Sequence, residues 1–451
     1  MSGGDGVSMG VVIVGGGIAG LSAAYRLTQA GHRVTLFEKE AELGGLARSF
    51  KLGDQYLERY YHFICLNDEP LLDLIGELGL APQLHWVHTG MGQFFEHVLY
   101  SFGEPWDLLL FRPFSFFERL RFGLNIMSVK SQSADGWRAL ENVPAPEWLV
   151  QTFGPRAYQV IHKSLIQLKF GEYMHRLSAS WIWARFHRLG KSRTKWTQRE
   201  KLGYLDGGMH SLVSTLAERI RQAGGEIHAA ATVERVVVEN GAVRGVIADG
   251  KTVFADAVIS TIPSVALRRI AGDPDDEYFR ILKNIDYIGV MCALLRLKRP
   301  LSRFFWTNIS DPEIPLAGVI EYTNLHPCPA LDGDRIVYLP LYLPATSERY
   351  AVDDRELLRE YIGYLKTVRP DFDESWIEEW FVFRDEYAQP ICEVGFTQHI
   401  PSIVSSLPGL FVTDSSQLHP EDRTVSNSIN LGRQAATLVQ THVTSERPGA
   451  Q

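Results

Sequence analysis

The chain has 451 residues, 45% of them apolar, with 45 basic and 53 acidic side chains for a formal charge of −8. So much apolar material collapses into a core, which excludes a mainly disordered chain. The net acidity argues against a global basic field for nucleic acid. The opening MSGGDGVSM lacks the basic and apolar regions of a signal peptide. No uninterrupted run of about 18 apolar residues predicts a membrane-spanning helix.

Residues 11–14 (VVIV) predict a buried parallel strand. The pattern Gly15-x-Gly17-x-x-Gly20 follows, then LSAAYRLTQAG, which reads as a helix ending at Gly31. Residues 33–37 (RVTLF) predict a second strand, ended by Glu38. This strand–turn–helix–strand order is the context that a dinucleotide fingerprint needs. Gly15 permits the tight turn, Gly17 lets backbone approach a pyrophosphate, and Gly20 lets helix and strand pack closely. The helix start at Ile18 and Ala19 offers N–H groups and a positive dipole end to phosphates. Glu38 can accept hydrogen bonds from a ribose and would repel a 2′-phosphate; Lys39 adjoins it.

A second glycine pair, Gly44-Gly45, stands in ELGGLARS with Leu46 and Arg48. A GxGxxG, an acid ending the second strand, then GG followed by Arg resembles the superfamily of FAD-dependent amine oxidases, protoporphyrinogen oxidases and phytoene desaturases. The resemblance implies bound FAD, with the second pair along its pyrophosphate and ribityl chain and Arg48 as a partner for the phosphates. It reappears twice more. Residues 203–263 read as a helix (211–223), then short strands joined by Asn240-Gly241 and Asp249-Gly250, which are hairpin signals. Val233 there occupies the place whose backbone contacts the adenine in the superfamily. Residues 410–412 read as a strand, Asp414 follows, and a helix begins near Val425. In the superfamily the strand-end acid contacts the ribityl or pyrophosphate region, and the helix start, here Thr424 and Val425, aims at the flavin O2. A helix dipole there stabilises reduced, anionic flavin. Thr413 stands where a small residue is usual. Asp422 and Arg423 read as a local ion pair.

The implied fold is α/β, a discontinuous Rossmann-like FAD-binding domain (1–95, 203–270 and 395–451) with a mixed α+β substrate-binding lobe (96–202 and 271–394). Cys65, Cys292, Cys328 and Cys392 form no CxxC pair. This favours free thiols and a reducing, cytoplasmic setting. His85 and His88 form an isolated HxxH without a third ligand, so no metal is expected.

Residues 58–64 (ERYYHFI) return toward the flavin by resemblance, making Tyr60, Tyr61 and His62 candidates for substrate contact. His62 could act as acid or base near neutral pH, or the three could simply pack. Lys169, in the apolar SLIQLKFGEY, is a functional buried lysine or one that snorkels outward. Residues 185–201 hold seven Lys or Arg and one acid. They suit an anionic group, a membrane surface or a solvated loop. Residues 106–127 hold five phenylalanines among arginines, and Pro113 breaks any single helix. They suit an apolar substrate mouth, shallow membrane attachment at the inner face, or a lobe core.

With one fingerprint and no second unit for a nicotinamide cofactor, the substrate itself must reduce the flavin. The implied reaction is oxidation or desaturation of an apolar or amphipathic small molecule of the isoprenoid, tetrapyrrole or amine type. YYHFICLNDEPLLDLI also resembles the UDP-galactopyranose mutases, which implies the alternative of a flavin-dependent sugar-nucleotide mutase. A non-catalytic FAD-binding protein is the third reading. The oligomeric state is open.

Overall fold

The computed structural model describes residues 8–192 and 200–445. Its first layer is a parallel sheet with strand order Glu226–His228, Arg33–Phe37, Gly10–Val14, Ala257–Ser260, Leu410–Val412. Runs such as VVIV and AVIS suit this place, because a parallel strand covered on both faces needs apolar side chains on both. Val11 and Ile13 pack into the core under the helices Ile18–Gln29 and Met209–Gln222. Val12 and Val14 face the opposite core, closed by Val236, Val243 and Val246. Those valines belong to a three-stranded antiparallel sheet over residues 233–254. Its two turns have positive φ at both central residues, Asn240 and Gly241 (+52°, +75°) and Asp249 and Gly250 (+47°, +72°). That is the turn form these dipeptides favour.

The last helix, Val425–Ser445, returns across the first. Ser22 Oγ donates to the Ile429 carbonyl at 3.0 Å. A Cβ at Gly432 would lie 2.2 Å from the Ala19 carbonyl oxygen, so only glycine lets these backbones approach.

The second layer is a seven-stranded mixed sheet with order Ile377–Pro390, Tyr287–Leu297, Arg335–Leu343, Gly318–Glu321, Trp306–Ile309, Met91–Phe95, Val98–Ser101. A helical third layer over residues 105–191 is held by an aromatic core that includes Phe111, Phe122, Phe153 and Trp183. Pro113 does divide residues 106–127, into the helices Pro105–Leu110 and Phe116–Ser131.

Three segment boundaries differ from the sequence reading. Met91–Phe95 pairs in parallel with Trp306–Ile309 and so joins the lobe sheet rather than the dinucleotide-binding segment. Its turn to the next strand runs through Glu96 and His97, both at positive φ, without the Gly or Asn that would mark it. Phe279, Leu282 and Ile285 pack against Val12 and Val14, so the second nucleotide-side segment continues past 270. Phe396 enters the helical core, so residues 395–400 belong to the lobe side.

One buried pair ties the lobe to the last nucleotide-side segment. His419 Nε2 lies 2.8 Å from Glu141 Oε2, and Thr397 donates to Glu141 Oε1 through its N–H (2.8 Å) and its hydroxyl (2.6 Å). Burial alone would raise the Glu141 carboxyl, but the hydrogen bonds from His419 and Thr397 outweigh it and hold it at about 2. A carboxyl depressed on folding stabilises above its ordinary value of 4.5 and loses that contribution as pH falls toward 2. Glu141→Ala is expected to cost about 1–3 kcal/mol at neutral pH, because the Thr397 donors lose their acceptor and His419 Nε2 keeps only the longer Ser180 Oγ contact at 3.3 Å. Urea denaturation at pH 7 and pH 3 checks this: the gap between variant and parent narrows at the lower pH.

Candidate functional site

The site begins at the glycine turn after the first strand. Gly15 has φ +109° and donates its N–H to the Phe37 carbonyl at 2.8 Å. Gly16 N–H donates to Glu38 Oε2 (2.7 Å) and Glu40 N–H to Oε1 (2.9 Å), so the buried Glu38 carboxylate is fixed by backbone. Each oxygen keeps a further lone pair for a ribose hydroxyl. Gly44 N–H donates to the Gly16 carbonyl at 2.8 Å, which docks the second glycine pair against the first. A Cβ at Gly45 would meet Gly17 Cα at 3.2 Å. Ile18 and Ala19 start the first helix, whose entry residue Gly17 makes no side-chain cap; its N–H groups are open to an anion.

The segments that carry Val233, Leu46 and Arg48 lie beside this turn. Ala231 N–H donates to the Glu38 carbonyl and Ala230 N–H to that of Glu40, both at 2.9 Å, bringing the strand that starts at Val233 alongside. Leu46 lies in the short helix Gly45–Ala47 and is half-buried. Arg48 is buried and pairs with Glu40 at 2.8 Å. Lys39, in contrast, points to solvent and lies 3.8 Å from Glu40. Asp414 is buried, and its oxygens accept from Ser264 N–H (2.9 Å), Ser416 N–H (2.7 Å) and the Tyr287 hydroxyl. Its contacts thus fasten the strand end Leu410–Val412 to the neighbouring loop. Thr424 Oγ1 accepts from Asn427 N–H at 3.0 Å and caps the last helix.

These residues fit a flavin dinucleotide. Among the described residues, Arg48 Nε, Arg423 Nε and His62 Nδ1 are buried without hydrogen-bond partners. Buried donors without acceptors are costly, and phosphate and ring oxygens would supply them.

From the start of the last helix a cavity of about 530 Å³ runs into the lobe. Tyr60, Tyr61, His62, Lys169, Thr424 and Val425 all line it, so the three catalytic candidates Tyr61, His62 and Lys169 meet in one space. Further out its walls are apolar, including Phe122, Ile126, Ile161 and Ile166, and it reaches the surface at Pro105 and Met127, which line it and are exposed.

Lys169 does not snorkel to the outer surface. Its ammonium lies 4.6 Å from the Trp181 ring centroid, 5.1 Å from Tyr342 and 5.5 Å from Phe170. Burial pulls it from 10.5 down to about 7, against the attraction of Asp422. Cation–π contacts of about 0.5–2 kcal/mol support the charged form without restoring its hydration. Burial and then Arg423 lower His62 to about 4. It is therefore neutral at pH 7. Burial raises the Tyr61 hydroxyl well above its ordinary value, so it stays protonated; its ring packs edge-on against Trp306 at 5.0 Å.

Asp422 corrects one expectation. Its Oδ2 accepts from Arg185 Nη1 at 3.1 Å, while Arg423 gives it only a backbone N–H. Burial would raise this carboxyl, but Lys169, Arg185, Arg423 and Arg188 outweigh it and hold it at about 2. Arg188 in turn donates to both oxygens of Asp68 at 3.0 Å. The sequence reading missed Asp68, Asp422 and Tyr342 as cavity residues. Arg185 and Arg188, three apart on the helix Ala179–Lys191, carried the signal, because that spacing shares one helix face. The middle of the basic run, residues 193–199, lies outside the described residues. His85 and His88 diverge, the first to Asp206 and the second to the Glu200 carbonyl. All four cysteines are buried free thiols.

Comparison with known proteins agrees with this geometry. Residues 18–440 match the family described as flavin containing amine oxidoreductase. The chain is 25% identical over 320 residues to the chloroplastic/chromoplastic 15-cis-phytoene desaturase of Arabidopsis thaliana, covering 65% of this chain and 55% of that one. It therefore spans about half the length of this curated relative. A redesigned triple mutant of putrescine oxidase superposes with a TM-score of 0.72 at 15% identity, over 96% of this chain and 99% of the other. Reduced UDP-galactopyranose mutase gives 0.73 at 15%, over 98% of both chains.

Proposed function

This chain belongs to the family of flavin containing amine oxidoreductases, an FAD-dependent oxidoreductase, and on that premise we propose that it is an oxidase or desaturase for an apolar or amphipathic small molecule of the isoprenoid, tetrapyrrole or amine type. FAD, when bound, accepts a hydride from a substrate C–H or N–H bond. The observation that carries the reading is one cavity that joins the capped start of the last helix to an apolar channel. Apolar walls bind the body of the substrate and exclude water. The helix start favours negative charge at the ring end of the site. Tyr61 and Tyr342 give hydroxyls and ring edges that orient the reacting end. Lys169 is placed to take the proton that the substrate loses as the hydride departs.

The test is anaerobic titration of the flavoprotein with amines, prenyl lipids, porphyrinogens and nucleotide sugars. Bleaching of the flavin spectrum by one of the first three classes is the expected result. Protein that binds no flavin, or flavin that none of them reduces, overturns the reading. A mutase would instead act on a nucleotide sugar only after chemical reduction. The carboxylates paired with Arg185 and Arg188 speak against that, because cations meant for a nucleotide pyrophosphate would be left for the ligand.

A further inference from the structure

The helix Phe116–Ser131 is apolar on two opposite sides. Phe122 and Val129 face the helical core. At about 100° per residue, Phe116, Phe117, Leu120, Leu124 and Met127 all fall within an arc of about 100° on the other side. That second side is bare: Phe116 is 68% exposed and Phe117 78%. The neighbouring helix Pro105–Leu110 extends the patch with Trp106 at 69% and Leu110 at 77%. The two helices pack where Gly123 meets Leu108, so the patch is one surface. Eight of the fourteen exposed large apolar side chains among the described residues lie between positions 106 and 127, too concentrated for ordinary surface scatter.

Charge completes the picture. Asp107 and Glu118 are turned back onto backbone N–H groups, of Gly103 and Glu104 and of Ser115 respectively, at the helix starts. Among the described residues, Arg112, Arg119 and Arg121 make no ion pair with a carboxylate. Arg119 donates to the carbonyls of Leu109, Phe111 and Phe114, and Arg121 to those of Gln151 and Thr152. Arg112 is exposed between the helices. The surface is thus apolar with cations in and beside it. The cavity opens through it, since Pro105, Leu108, Ile126 and Met127 line the channel.

We propose that these two helices seat the protein on an anionic lipid bilayer, with the apolar side chains in the acyl boundary and the arginines at the phosphates, so that the cavity mouth opens into lipid. No helix among the described residues is long and apolar enough to cross a membrane, so the attachment is interfacial. A bilayer fits better than a protein partner or a second copy. A folded surface pressed here would plug the mouth, whereas lipid is a fluid phase continuous with the channel.

The experiment is co-sedimentation of the flavin-loaded protein with vesicles of phosphatidylcholine alone and with phosphatidylglycerol added, at low and high salt. Binding that is stronger to the anionic vesicles and weaker in salt is expected. The combined variant Phe116→Ser, Phe117→Ser, Leu120→Ser should weaken it at least about 100-fold, given roughly 1 kcal/mol or more per withdrawn side chain. Arg112→Glu should reduce the preference for anionic vesicles. These side chains are exposed, so an unchanged melting temperature and flavin spectrum show that the variants are folded. Trp106→Phe should remove a component of fluorescence that brominated lipid quenches. Absence of vesicle binding overturns the proposal, whether the protein is monomeric or self-associates through the patch by analytical ultracentrifugation. Binding that survives the triple variant overturns it equally. None of these readings requires turnover.

Discussion

Gly20→Ala is expected to lose flavin on purification, with affinity for FAD reduced about 5- to 150-fold, since overpacking costs of about 1–3 kcal/mol fall here on the cofactor turn itself. A Cβ at Gly20 would sit 2.0 Å from the Gly15 carbonyl oxygen and 3.0 Å from Thr261 Oγ1. Neither neighbour is the free end of a flexible chain. The Gly15 oxygen is backbone of the turn, and Thr261 Oγ1 already donates toward the Val14 and Gly15 carbonyls, each at 3.1 Å. The first helix must therefore lift away from the strand, carrying its N-terminal N–H groups with it. Calorimetric titration of apoprotein with FAD measures the loss, and far-UV circular dichroism shows that the sheet persists. Gly31→Ala is the control. Gly31 has positive φ but nothing within 4 Å of its Cβ position, so stability falls while flavin stays bound. A Gly20→Ala protein that keeps one flavin per chain would contradict the assigned turn.

Lys169→Met is expected to lower kcat about 100-fold or more, the usual worth of a positioned proton acceptor, with a smaller change in KM. In the parent enzyme kcat/KM should rise through pH about 7, where burial places the Lys169 ammonium, and in the variant that limb should disappear. Stability should follow the same proton. Between pH 7 and 10.5 the unfolded chain holds this proton and the folded one does not, so the parent gains stability as pH rises through that window. Below pH 7 the cost of burying the charge is fully present. Methionine removes that cost, so the variant should melt higher than the parent at pH 6, and the difference should shrink by pH 10. Asp422 retains Arg185 as its partner in the variant. Equal kcat values and superimposable pH profiles would exclude Lys169 from proton transfer.

The nucleotide side of the fold was legible because its signals are local. Strands at Arg33–Phe37 and Leu410–Val412 fall where their apolar runs place them. The helix read as 211–223 spans Met209–Gln222, and both predicted hairpins turn at the predicted dipeptides. Glycine spacing, strand ends and turn chemistry act over a few residues, so one sequence displays them. Asp68, Asp422 and Tyr342 were illegible for the opposite reason. Their roles depend on partners more than 100 positions away, such as Arg188 for Asp68 and Arg185 for Asp422. Gly432 shows the same limit. A glycine inside a helix marks a close approach, but nothing near it in the chain names Ala19 as the backbone approached. The aromatic run at 106–127 was ambiguous because core and surface phenylalanines alternate within it: Phe111, Phe114 and Phe122 are buried, Phe116 and Phe117 bare. Periodicity reveals two apolar sides of a helix without saying which one the rest of the chain covers.

The return of the last helix across the first has a consequence for biogenesis. The sheet receives its edge strand from residues 410–412, and the first helix receives its close neighbour from Gly432. A ribosome delivers those segments some four hundred residues after the glycine turn that they complete. While the chain emerges, the face of the first helix beside Ser22 is uncovered. Domains ordinarily fold as units during synthesis, N-terminal first. Here an early segment must wait for a late one, so stable flavin capture belongs after translation of residue 432 and not before.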